Sequence, residues 1–402
     1  MKIEFQRKVD YILGNSICRV LSLWNYLKPI DSVLVKPRNI LVILLSEMGS
    51  LVLAQPMFAL IKRKYPEASL HVLVFKQNAE VIQLLGSIQH EHIFTIRNSS
   101  FYEFLFDSIR VLYQLRKIRI DTVIDCELFS RISSIYSYLS GAKARVGFHA
   151  HTQEGLYRGD FINYPVPYNP YYHISQQFIT LVESLESDNI PKVKRELLNR
   201  LLLLEPVHVS ETEINCMKEK FFRDFPQANN KKIILLYPGG GLLPIRAWPR
   251  DFFSHIGKYF TENGYVVAII GMGSDKELAE SIIKECEHIN CINLAGYTKT
   301  IRELLILFHF SSLLITNDGG PVHFASLTPL PTITFFGPET PLLYGSLSPN
   351  AYHFYTSLSC SPCLTAYNHR NSPCDGNNLC LQLIHPETVI AKAIEMIERT
   401  NG

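Results

Sequence analysis

Short apolar runs alternate with helix-periodic segments twice along the chain, and this alternation constrains the fold more than any other feature. Runs rich in Ile, Leu and Val are typical of strands buried on both faces of a parallel sheet. The first series predicts strands at Ile40–Leu45, Leu70–Phe75, His92–Ile96, Thr122–Asp125 and Ala144–Phe148. The second series predicts strands at Ile233–Tyr237, Val266–Ile270, Cys291–Leu294, Leu313–Thr316 and Thr332–Phe336. The pattern therefore predicts two Rossmann-like α/β halves that face each other across a cleft.

The helical patterns and the chain length give the domain organisation. In the first half, helical spacing occurs at Val52–Tyr65, Ala79–Leu85, Phe101–Ile118 and Ile132–Leu139. A polar, irregular stretch over Glu186–Val209 has the character of a linker with a flanking helix. The 402 residues fit two domains of ordinary size. We therefore expect an N-terminal domain at 38–200 and a C-terminal domain at 201–402, preceded by a separate segment at 1–37.

Composition excludes several classes of protein. Hydrophobic residues make up 47% and charged residues 19% of the chain, which indicates a folded protein. The net charge of +2 is too small to indicate nucleic acid as a partner. No apolar run reaches the length of a membrane span. The sequence shows no secretory signal, so we expect its nine cysteines to be free thiols or metal ligands rather than a disulfide framework.

The first 37 residues carry one apolar helical stripe flanked by basic residues. Arg19 lies off the stripe but interrupts what would be the apolar core of a signal peptide, and no small-residue cleavage site follows, so the segment does not resemble a signal peptide. Two interpretations remain open: a helix packed on its own protein, or an amphipathic helix lying in a membrane surface, and we favour the second. The stripe consists of Val9, Ile12, Leu13, Ile17, Val20, Leu21, Trp24 and Leu27.

The stretch "ILVILLSEMGSLVLAQP" at 40–56 combines a strand, an abrupt turn and the start of a helix. Gly49 permits a tight turn, and we expect Ser50 to cap the helix that follows. In open α/β sheets, ligands bind at the carboxyl ends of the strands. Ordinary connections between a strand and a helix have the same pattern, so this turn alone does not indicate function.

The second half carries a glycine turn with a nearby cation. Gly239, Gly240 and Gly241 follow the strand at Ile233–Tyr237, and Arg246 comes shortly afterwards. Backbone N–H groups in such a turn and an arginine can bind a phosphate. The pattern is neither a Walker loop nor the dinucleotide fingerprint, and a flexible surface loop remains the alternative.

Two further strand ends carry polar residues. Asp275 follows the strand at Val266–Ile270, where a carboxylate can accept hydrogen bonds from ribose hydroxyls or cap a helix. The strand at Leu313–Thr316 is followed by "NDGGPVHFAS", which contains Asp318, Gly319, Gly320 and His323. A single histidine is usually structural, but Asp-Gly-Gly-Pro-x-His at a strand end favours a pyrophosphate site.

Together these segments resemble the bacterial lipopolysaccharide heptosyltransferases, which belong to glycosyltransferase family 9. The resemblance runs from Arg38 to the end of the chain, and its most specific parts are Asp-Gly-Gly-Pro-x-His and the later Phe-Gly-Pro. It implies the GT-B architecture, an inverting mechanism, a nucleotide-diphosphate donor such as ADP-heptose, and a lipid-linked saccharide acceptor. By matching positions, it places Arg246 at donor phosphate and Asp275 at the nucleoside. It places Asp318, Gly319, Gly320 and His323 at the diphosphate and sugar.

The chain departs from the family pattern at the first turn. The family usually has Gly-Asp there, with the Asp as the proposed base, whereas this chain has Gly49-Ser50. A serine hydroxyl cannot act as a carboxylate base at neutral pH. We therefore expect Glu127 as the first and Glu47 as the second candidate base, although either can be a loop or capping group. If neither acts, the protein binds a nucleotide sugar without transferring it.

Four cysteines crowd the C-terminal region with the spacing Cys-x2-Cys-x10-Cys-x5-Cys: Cys360, Cys363, Cys374 and Cys380. Four thiolates can bind structural zinc, although the spacing is not that of a common zinc ribbon. The family resemblance implies no catalytic metal, and thiols or a disulfide are the alternatives.

The expected function is therefore sugar transfer to a lipopolysaccharide core or related surface glycan, with no required cofactor. The expected partners are a nucleotide sugar, a lipid-linked saccharide and a membrane surface, but not nucleic acid. We expect the protein at the cytoplasmic face of the membrane. A related enzyme that uses a different donor sugar is a further alternative.

Overall fold

The computed structural model describes residues 3–28, 36–45, 47–128, 130–148, 157–187, 202–241, 243–365, 370–372 and 374–399. The chain divides into an N-terminal unit, Met1–Leu203, and a C-terminal unit made of Leu204–Thr365 and Arg370–Gly402. The predicted boundary at residues 200 and 201, and most of the predicted linker, lie outside the described residues.

The N-terminal unit is built on a parallel sheet with the strand order β3-β2-β1-β4-β5-β6. Its strands are β1 Asn39–Ile43, β2 Ser69–Phe75, β3 Ile93–Ile96, β4 Thr122–Asp125, β5 Ala144–Phe148 and β6 Tyr164–Val166. Its helices are α1 Ile3–Val9, α2 Asn15–Leu27, α3 Met48–Leu53, α4 Gln55–Lys64, α5 Ala79–Leu85, α6 Phe101–Ile118, α7 Arg131–Leu139 and α8 Ile174–Glu183. A π-helical turn, Asp10–Gly14, joins α1 to α2.

The C-terminal unit repeats this topology, with the strand order β9-β8-β7-β10-β11-β12. Its strands are β7 Ile233–Tyr237, β8 Val266–Gly271, β9 Cys291–Ala295, β10 Leu313–Asn317, β11 Thr332–Phe336 and β12 Ala351–Tyr355. Its helices are α9 Glu211–Asp224, α10 Arg250–Glu262, α11 Lys276–Cys286, α12 Ile301–His309, α13 Gly320–Ala325, α14 Pro341–Tyr344, α15 Leu379–Gln382 and α16 Pro386–Arg399.

The ten predicted strands are present, and each sheet has one further strand at its edge. β6 is three residues long and contains Pro165, and β12 is only partly buried along its length. An edge strand needs neither a continuous apolar run nor every N–H group, since one side of it is unpaired. These two strands therefore lack the pattern that identifies the buried ones.

The segment after β1 differs from the prediction in two ways. The single predicted helix is interrupted at Ala54, because Pro56 has no N–H group to continue the hydrogen-bond ladder. Ser50 is not a helix cap, so that prediction is wrong: α3 begins at Met48, and Glu47 occupies the N-cap position. The Ser50 hydroxyl instead donates to Glu47 Oε2 over 3.0 Å.

The N-terminal helices pack mainly through polar and small side chains, and Leu21 is the residue of the apolar stripe that packs against the buried cluster around Cys18. Asp10 Oδ1 accepts the backbone N–H groups of Arg131 and Ile132 at the start of α7. Gly14 and Cys18 are buried against the unit. Most of the stripe is exposed: Ile12, Leu13, Ile17, Val20, Trp24 and Leu27. None of the helices in the described residues combines the length and apolarity needed to cross a bilayer.

Candidate active site

The glycine turn after β7 is shaped by the backbone of the chain itself. Gly241 has a φ of +59°, in the left-handed region that favours glycine. A Cβ atom at Gly240 would lie 2.9 Å from the Cα atom of Pro244, too close for any side chain. The turn therefore needs glycine at both positions, and it leads into the single helical turn Pro244–Arg246.

Arg246 forms an ion pair with Asp318 from the neighbouring strand end. β7 and β10 are parallel neighbours, with Thr316 opposite Tyr237, so their carboxyl ends lie side by side. Arg246 Nη1 lies 3.2 Å from Asp318 Oδ2, and the two side chains are only 16% and 6% exposed. Arg246 Nε is buried and makes no hydrogen bond within the described residues. The pair thus places a cation with a spare donor at the carboxyl edge of the sheet.

Tyr237 connects this pair electrostatically to Asp275. Burial raises the pKa of Tyr237 and the Asp275 carboxylate raises it further, whereas Arg246 lowers it. Tyr237 is therefore within electrostatic range of both charges. Asp275 lies at the N-cap position of α11, but its Oδ2 accepts the N–H group of Met272 over 2.8 Å and makes no capping bond to α11.

The remaining predicted donor residues follow β10 directly. Asp318 and Gly319 come after the last residue of the strand, and α13 begins at Gly320. His323 is buried within α13, one turn from its start. In the C-terminal unit, Arg246, Asp318 and the two glycine turns therefore lie at adjacent strand ends. His323 lies one turn into the helix that follows.

Asn317, which the sequence analysis did not identify, holds the two strand ends together. Its Nδ2 donates to the carbonyl oxygens of Pro238 (2.8 Å) and Gly239 (3.2 Å), and its Oδ1 accepts the Trp248 N–H over 2.9 Å. Asn317 is fully buried, so these bonds form in an environment without competing water. A buried strand that begins Leu-Leu-Ile and ends in Asn was the available sequence signal.

The cysteine-rich segment, 360–380, supports the loops that follow β7 and β11. Asn378 Nδ2 donates to the carbonyl oxygens of Ile245 and Ala247, both over 2.9 Å, so it holds the backbone on each side of Arg246. The N–H groups of Cys363 and Leu364 donate to the Pro338 carbonyl over 2.9 and 2.8 Å. The described residues of this segment therefore hold the backbone of the candidate site on each side of Arg246 and at Pro338.

Structural zinc, one of the alternatives that the cysteine spacing leaves open, is not supported. Within the described part of the chain, which includes all nine cysteines, no group of three or more His, Cys, Asp or Glu side chains is arranged to hold a metal ion. No disulfide forms there either. Cys380 instead packs against Gly337, where a Cβ atom would lie 2.7 Å from its Sγ. Burial raises the pKa of the Cys380 thiol, as expected for a packed, neutral side chain.

In the N-terminal unit, Glu127 is buried and engaged with the neighbouring strand end. Glu127 is 5% exposed, and its Oε1 accepts the Leu45 N–H over 2.6 Å. Its own N–H donates to Asp125 Oδ1, and Asn78 Nδ2 donates to the Leu45 carbonyl. Glu127 and Asn78 therefore fix the chain just beyond β1.

Glu47 has a different environment at the same edge of the sheet. It is partly exposed, precedes α3 and accepts the Ser50 hydroxyl. Asp125, which ends β4, is fully buried, and burial raises its pKa although Arg158 and Ser133 stabilise the carboxylate. Of these three carboxylates, Glu47 alone combines a position beyond a strand end with access to solvent.

These observations define an α/β protein of two Rossmann-like units with charged residues at the carboxyl edges of its sheets. More specifically, the chain belongs to glycosyltransferase family 9 (heptosyltransferase), whose family model matches residues 109–372.

One curated relative is lipooligosaccharide heptosyltransferase 2 of Haemophilus influenzae, with 29% identity over 180 residues. The match covers 44% of this chain and 50% of that relative, so the chain spans about half the length of the curated relatives it first matches.

Among solved structures, the chain resembles the E. coli ADP-heptose lps heptosyltransferase II, with a TM-score of 0.70 and 19% identity. That likeness covers 90% of this chain and 100% of the other. It also resembles the E. coli heptosyltransferase WaaC with ADP, with a TM-score of 0.59 and 12% identity, covering 88% and 99% of the two chains. These likenesses confirm the predicted α/β fold of the GT-B class.

Proposed function

We propose that the protein transfers heptose or a related sugar, with inversion, from a nucleotide-diphosphate donor to a lipopolysaccharide core or other surface-glycan acceptor. The observation that carries the proposal is the Arg246–Asp318 pair beside the glycine turns at Gly239–Gly241 and Gly319–Gly320. Its support is the family membership, together with the curated relatives named as heptosyltransferases and a solved relative that is described with ADP.

The donor residues divide the work of holding a nucleoside diphosphate. The guanidinium of Arg246 pairs with phosphate oxygens and stabilises the negative charge of the leaving diphosphate. Asp275 accepts hydrogen bonds from the ribose hydroxyls. Asp318 and His323 lie toward the sugar, and Asp318 also keeps Arg246 in place before the donor binds. ADP-heptose is the donor that this proposal assigns.

In the transfer step, the oxygen of an acceptor hydroxyl forms a bond to the anomeric carbon of the sugar. The bond from that carbon to the diphosphate oxygen breaks, and the diphosphate leaves with the electron pair. A carboxylate takes the proton of the hydroxyl. We assign this role to Glu47 before Glu127, because Glu47 is partly exposed whereas Glu127 is buried with an oxygen on the Leu45 N–H.

We further propose that the protein works at the cytoplasmic face of the membrane, where its acceptor is anchored. The exposed apolar stripe of α2, with Arg7, Lys8 and Arg19 near it, is suited to a surface that combines acyl chains and anionic headgroups. Replacing Val20 and Leu27 with Asp is expected to reduce co-sedimentation with phosphatidylglycerol vesicles. Unchanged sedimentation of that variant would count against this location.

The alternative is a protein that binds a nucleotide sugar without transferring it. Ser50 favours this alternative, since it stands where the family usually has its carboxylate base. Both candidates bind the donor, so donor binding does not separate them.

The deciding experiment incubates the full chain with ADP-heptose and a panel of truncated lipopolysaccharide acceptors. Transfer is read from ADP release and from the mass of the acceptor. A mass increase of one heptose that depends on Glu47 supports the transferase. Tight ADP-heptose binding without a mass increase on any acceptor supports the binding protein.

Arg246→Ala tests the donor site directly. The loss of a charged hydrogen bond to phosphate is expected to weaken ADP binding by about 1.5–3 kcal/mol, as measured by calorimetry. Arg250→Ala is the matched control, because Arg250 is an exposed arginine four residues away that pairs with Glu285. Equal ADP affinity for Arg246→Ala and wild type would remove Arg246 from the site.

A further inference from the structure

The outer face of α6 is apolar, although it points to solvent. Tyr102, Phe106 and Tyr113 are 83%, 64% and 71% exposed, and Leu105 and Ile109 lie exposed on the same face. The opposite face packs into the core through buried side chains, among them Val111 and Leu115. A surface helix normally presents polar residues outward, and one that is apolar all round is normally covered on both sides. The outer face of α6 therefore has the composition of a contact surface.

Cations border this apolar face. Arg110, Arg116 and Lys117 are exposed along the second half of α6, and Arg119 is exposed just after it. The acidic side chains of the helix are already engaged. Asp107 is buried between Arg97 and Arg110, and Glu103 pairs with Arg97. The helix therefore has two carboxylates, whereas five arginines and lysines lie on it or next to it when Arg97 is included. The border of the face carries net positive charge.

The α6 face lies on the same side of the sheet as the N-terminal helices. Ser108 of α6 hydrogen-bonds to Tyr136 of α7 over 2.6 Å, and Arg116 Nε donates to the Leu139 carbonyl. On its other side, α7 packs against Cys18 of α2 through Ile135 and Tyr138. Right-handed crossovers also place α6 and α7 on one face of the sheet. The outer helices α2 and α6 therefore flank α7.

Exposed apolar side chains are concentrated on these helices. Of the 25 large hydrophobic side chains that are exposed within the described residues, 16 lie on the N-terminal helical segment and on α6. A soluble protein rarely exposes a cluster of this kind without a partner for it.

We propose that the outer face of α6 docks into an anionic lipid surface, as a second membrane contact beside α2. Arg110, Arg116 and Lys117 match the phosphate groups of anionic lipids. Tyr102 and Tyr113 have the amphipathic rings that favour the headgroup layer, and Leu105, Phe106 and Ile109 between them reach the acyl chains. A second copy of the chain fits less well, because it would bring the same cations toward each other. The proposal deepens the membrane location under the proposed function and is independent of sugar transfer.

Vesicle binding of the full chain tests the proposal. The probe is vesicles of phosphatidylethanolamine and phosphatidylglycerol, compared with vesicles of phosphatidylcholine alone. F106D/I109D is expected to bind the anionic vesicles at least about tenfold more weakly than wild type. The control L203D/I289D adds the same charge at two exposed apolar positions elsewhere and is expected to bind like wild type. Equal binding by F106D/I109D and wild type, or an equal loss in the control, would overturn the proposal.

A tryptophan on α6 reports its depth independently of affinity. The chain has two tryptophans, Trp24 on α2 and Trp248, which is buried in the C-terminal unit. In W24F/F106W the only tryptophan at the membrane-facing helices is therefore at position 106. Brominated acyl chains are expected to quench its fluorescence while Trp248 supplies a constant background. No quenching in vesicles that bind the protein would overturn the proposal.

Two further readouts separate this proposal from its rivals. A lipid-free wild type that is dimeric, with a monomeric F106D/I109D and unchanged vesicle binding, would assign the face to a copy of the chain and overturn the proposal. Unchanged ADP affinity in F106D/I109D, together with lost vesicle binding, supports it. If wild type binds vesicles in the α6-dependent manner but transfers no sugar, the proposed function fails and the docking surface stands.

Discussion

Both units fix the loop after a central strand at topologically equivalent positions, but one uses a carboxylate and the other an amide. In each sheet, a side chain at or just beyond the end of one central strand (β4 or β10) holds the loop that follows the neighbouring central strand (β1 or β7). In the N-terminal unit, Glu127 beyond β4 accepts the Leu45 N–H beyond β1. In the C-terminal unit, Asn317 at the end of β10 donates to the carbonyls of Pro238 and Gly239 beyond β7.

The difference lies in what remains available for a ligand. The C-terminal unit uses a neutral amide for this contact, so the charged pair Arg246–Asp318 is left at the edge. The N-terminal unit uses a carboxylate, and Glu127 is buried by doing so. A charged residue just past a strand end is therefore not sufficient evidence of catalysis. The comparison favours Glu47 as the base and gives Glu127 the structural task of Asn317.

The largest expected effect distinguishes the two glutamates. Glu47→Gln is expected to lower turnover about 100-fold or more, because a carboxamide cannot take the acceptor proton, while ADP affinity stays unchanged. Glu127→Gln is expected to keep most of the turnover, since its amide oxygen can still accept the Leu45 N–H. Steady-state kinetics with saturating donor measures both.

A second-site variant sharpens this test. The Ser50 hydroxyl lies 3.0 Å from Glu47 Oε2, so an aspartate at position 50 places a carboxylate in nearly the same space. E47Q/S50D is expected to regain part of the turnover lost in Glu47→Gln. Loss of turnover in Glu127→Gln with normal turnover in Glu47→Gln would reverse the assignment and break the comparison between Glu127 and Asn317.

The next effect concerns the stability of the two strand ends. Asn317→Ala leaves the Trp248 N–H and two carbonyls without their partner, and Glu127→Ala leaves the Leu45 N–H without its partner. Each unsatisfied buried group costs about 1–3 kcal/mol, so Asn317→Ala is expected to be the more destabilising.

Hydrogen exchange resolves the two units in this stability test. Faster exchange is expected in β7 and β10 for Asn317→Ala, and in β1 and β4 for Glu127→Ala. If Glu127→Ala leaves exchange in β1 unchanged, Glu127 does not hold that strand end.

The C-terminal unit also has a support from a distant segment, Asn378, which Asn378→Ala tests. Asn378 holds the carbonyls on both sides of Arg246, so its loss is expected to weaken ADP binding by about 1 kcal/mol, with turnover at saturating donor unchanged. Asn377→Ala is the matched control, because Asn377 is the exposed neighbour and bonds to Gln382. A fall in turnover with unchanged ADP affinity would show that Asn378 does not act through the position of Arg246.

Much of this arrangement follows from local sequence. Apolar runs in the sequence predict the buried strands, and the ends of parallel strands lie at one edge of a sheet, so the sequence and the family resemblance assign Arg246 and Asp318 to one donor site, although not to one ion pair. Contacts between distant segments leave no such signal: Asn378 lies 133 positions from Ile245. Ser50 is the opposite case, a local signal that the structure does not follow. Serine favours helix starts, but the helix begins earlier, at Met48.

The last prediction concerns acid stability, where the equivalent strands β2 and β8 differ. β2 carries His71, which is buried with neither ring nitrogen hydrogen-bonded within the described residues, whereas β8 is entirely apolar apart from its terminal glycine. Burial, and secondarily the neighbouring His92, lower the pKa of His71 to about 4.

The pH dependence follows from this lowered pKa. Between about pH 6.5 and pH 4 the unfolded chain binds a proton at His71 that the folded unit does not. The free energy of unfolding of the N-terminal unit is therefore expected to fall as the pH is lowered through this range.

His71→Phe is expected to reduce that fall, because the phenyl ring can pack beside Phe94 and does not titrate. Hydrogen exchange in β1 and β2 at pH 7 and pH 5, corrected for the intrinsic rates, measures it. His90→Asn, an exposed histidine in the same unit, is the control and is expected to retain the wild-type dependence. A pH dependence in His71→Phe equal to that of wild type would mean that His71 does not make the N-terminal sheet the more acid-labile of the two.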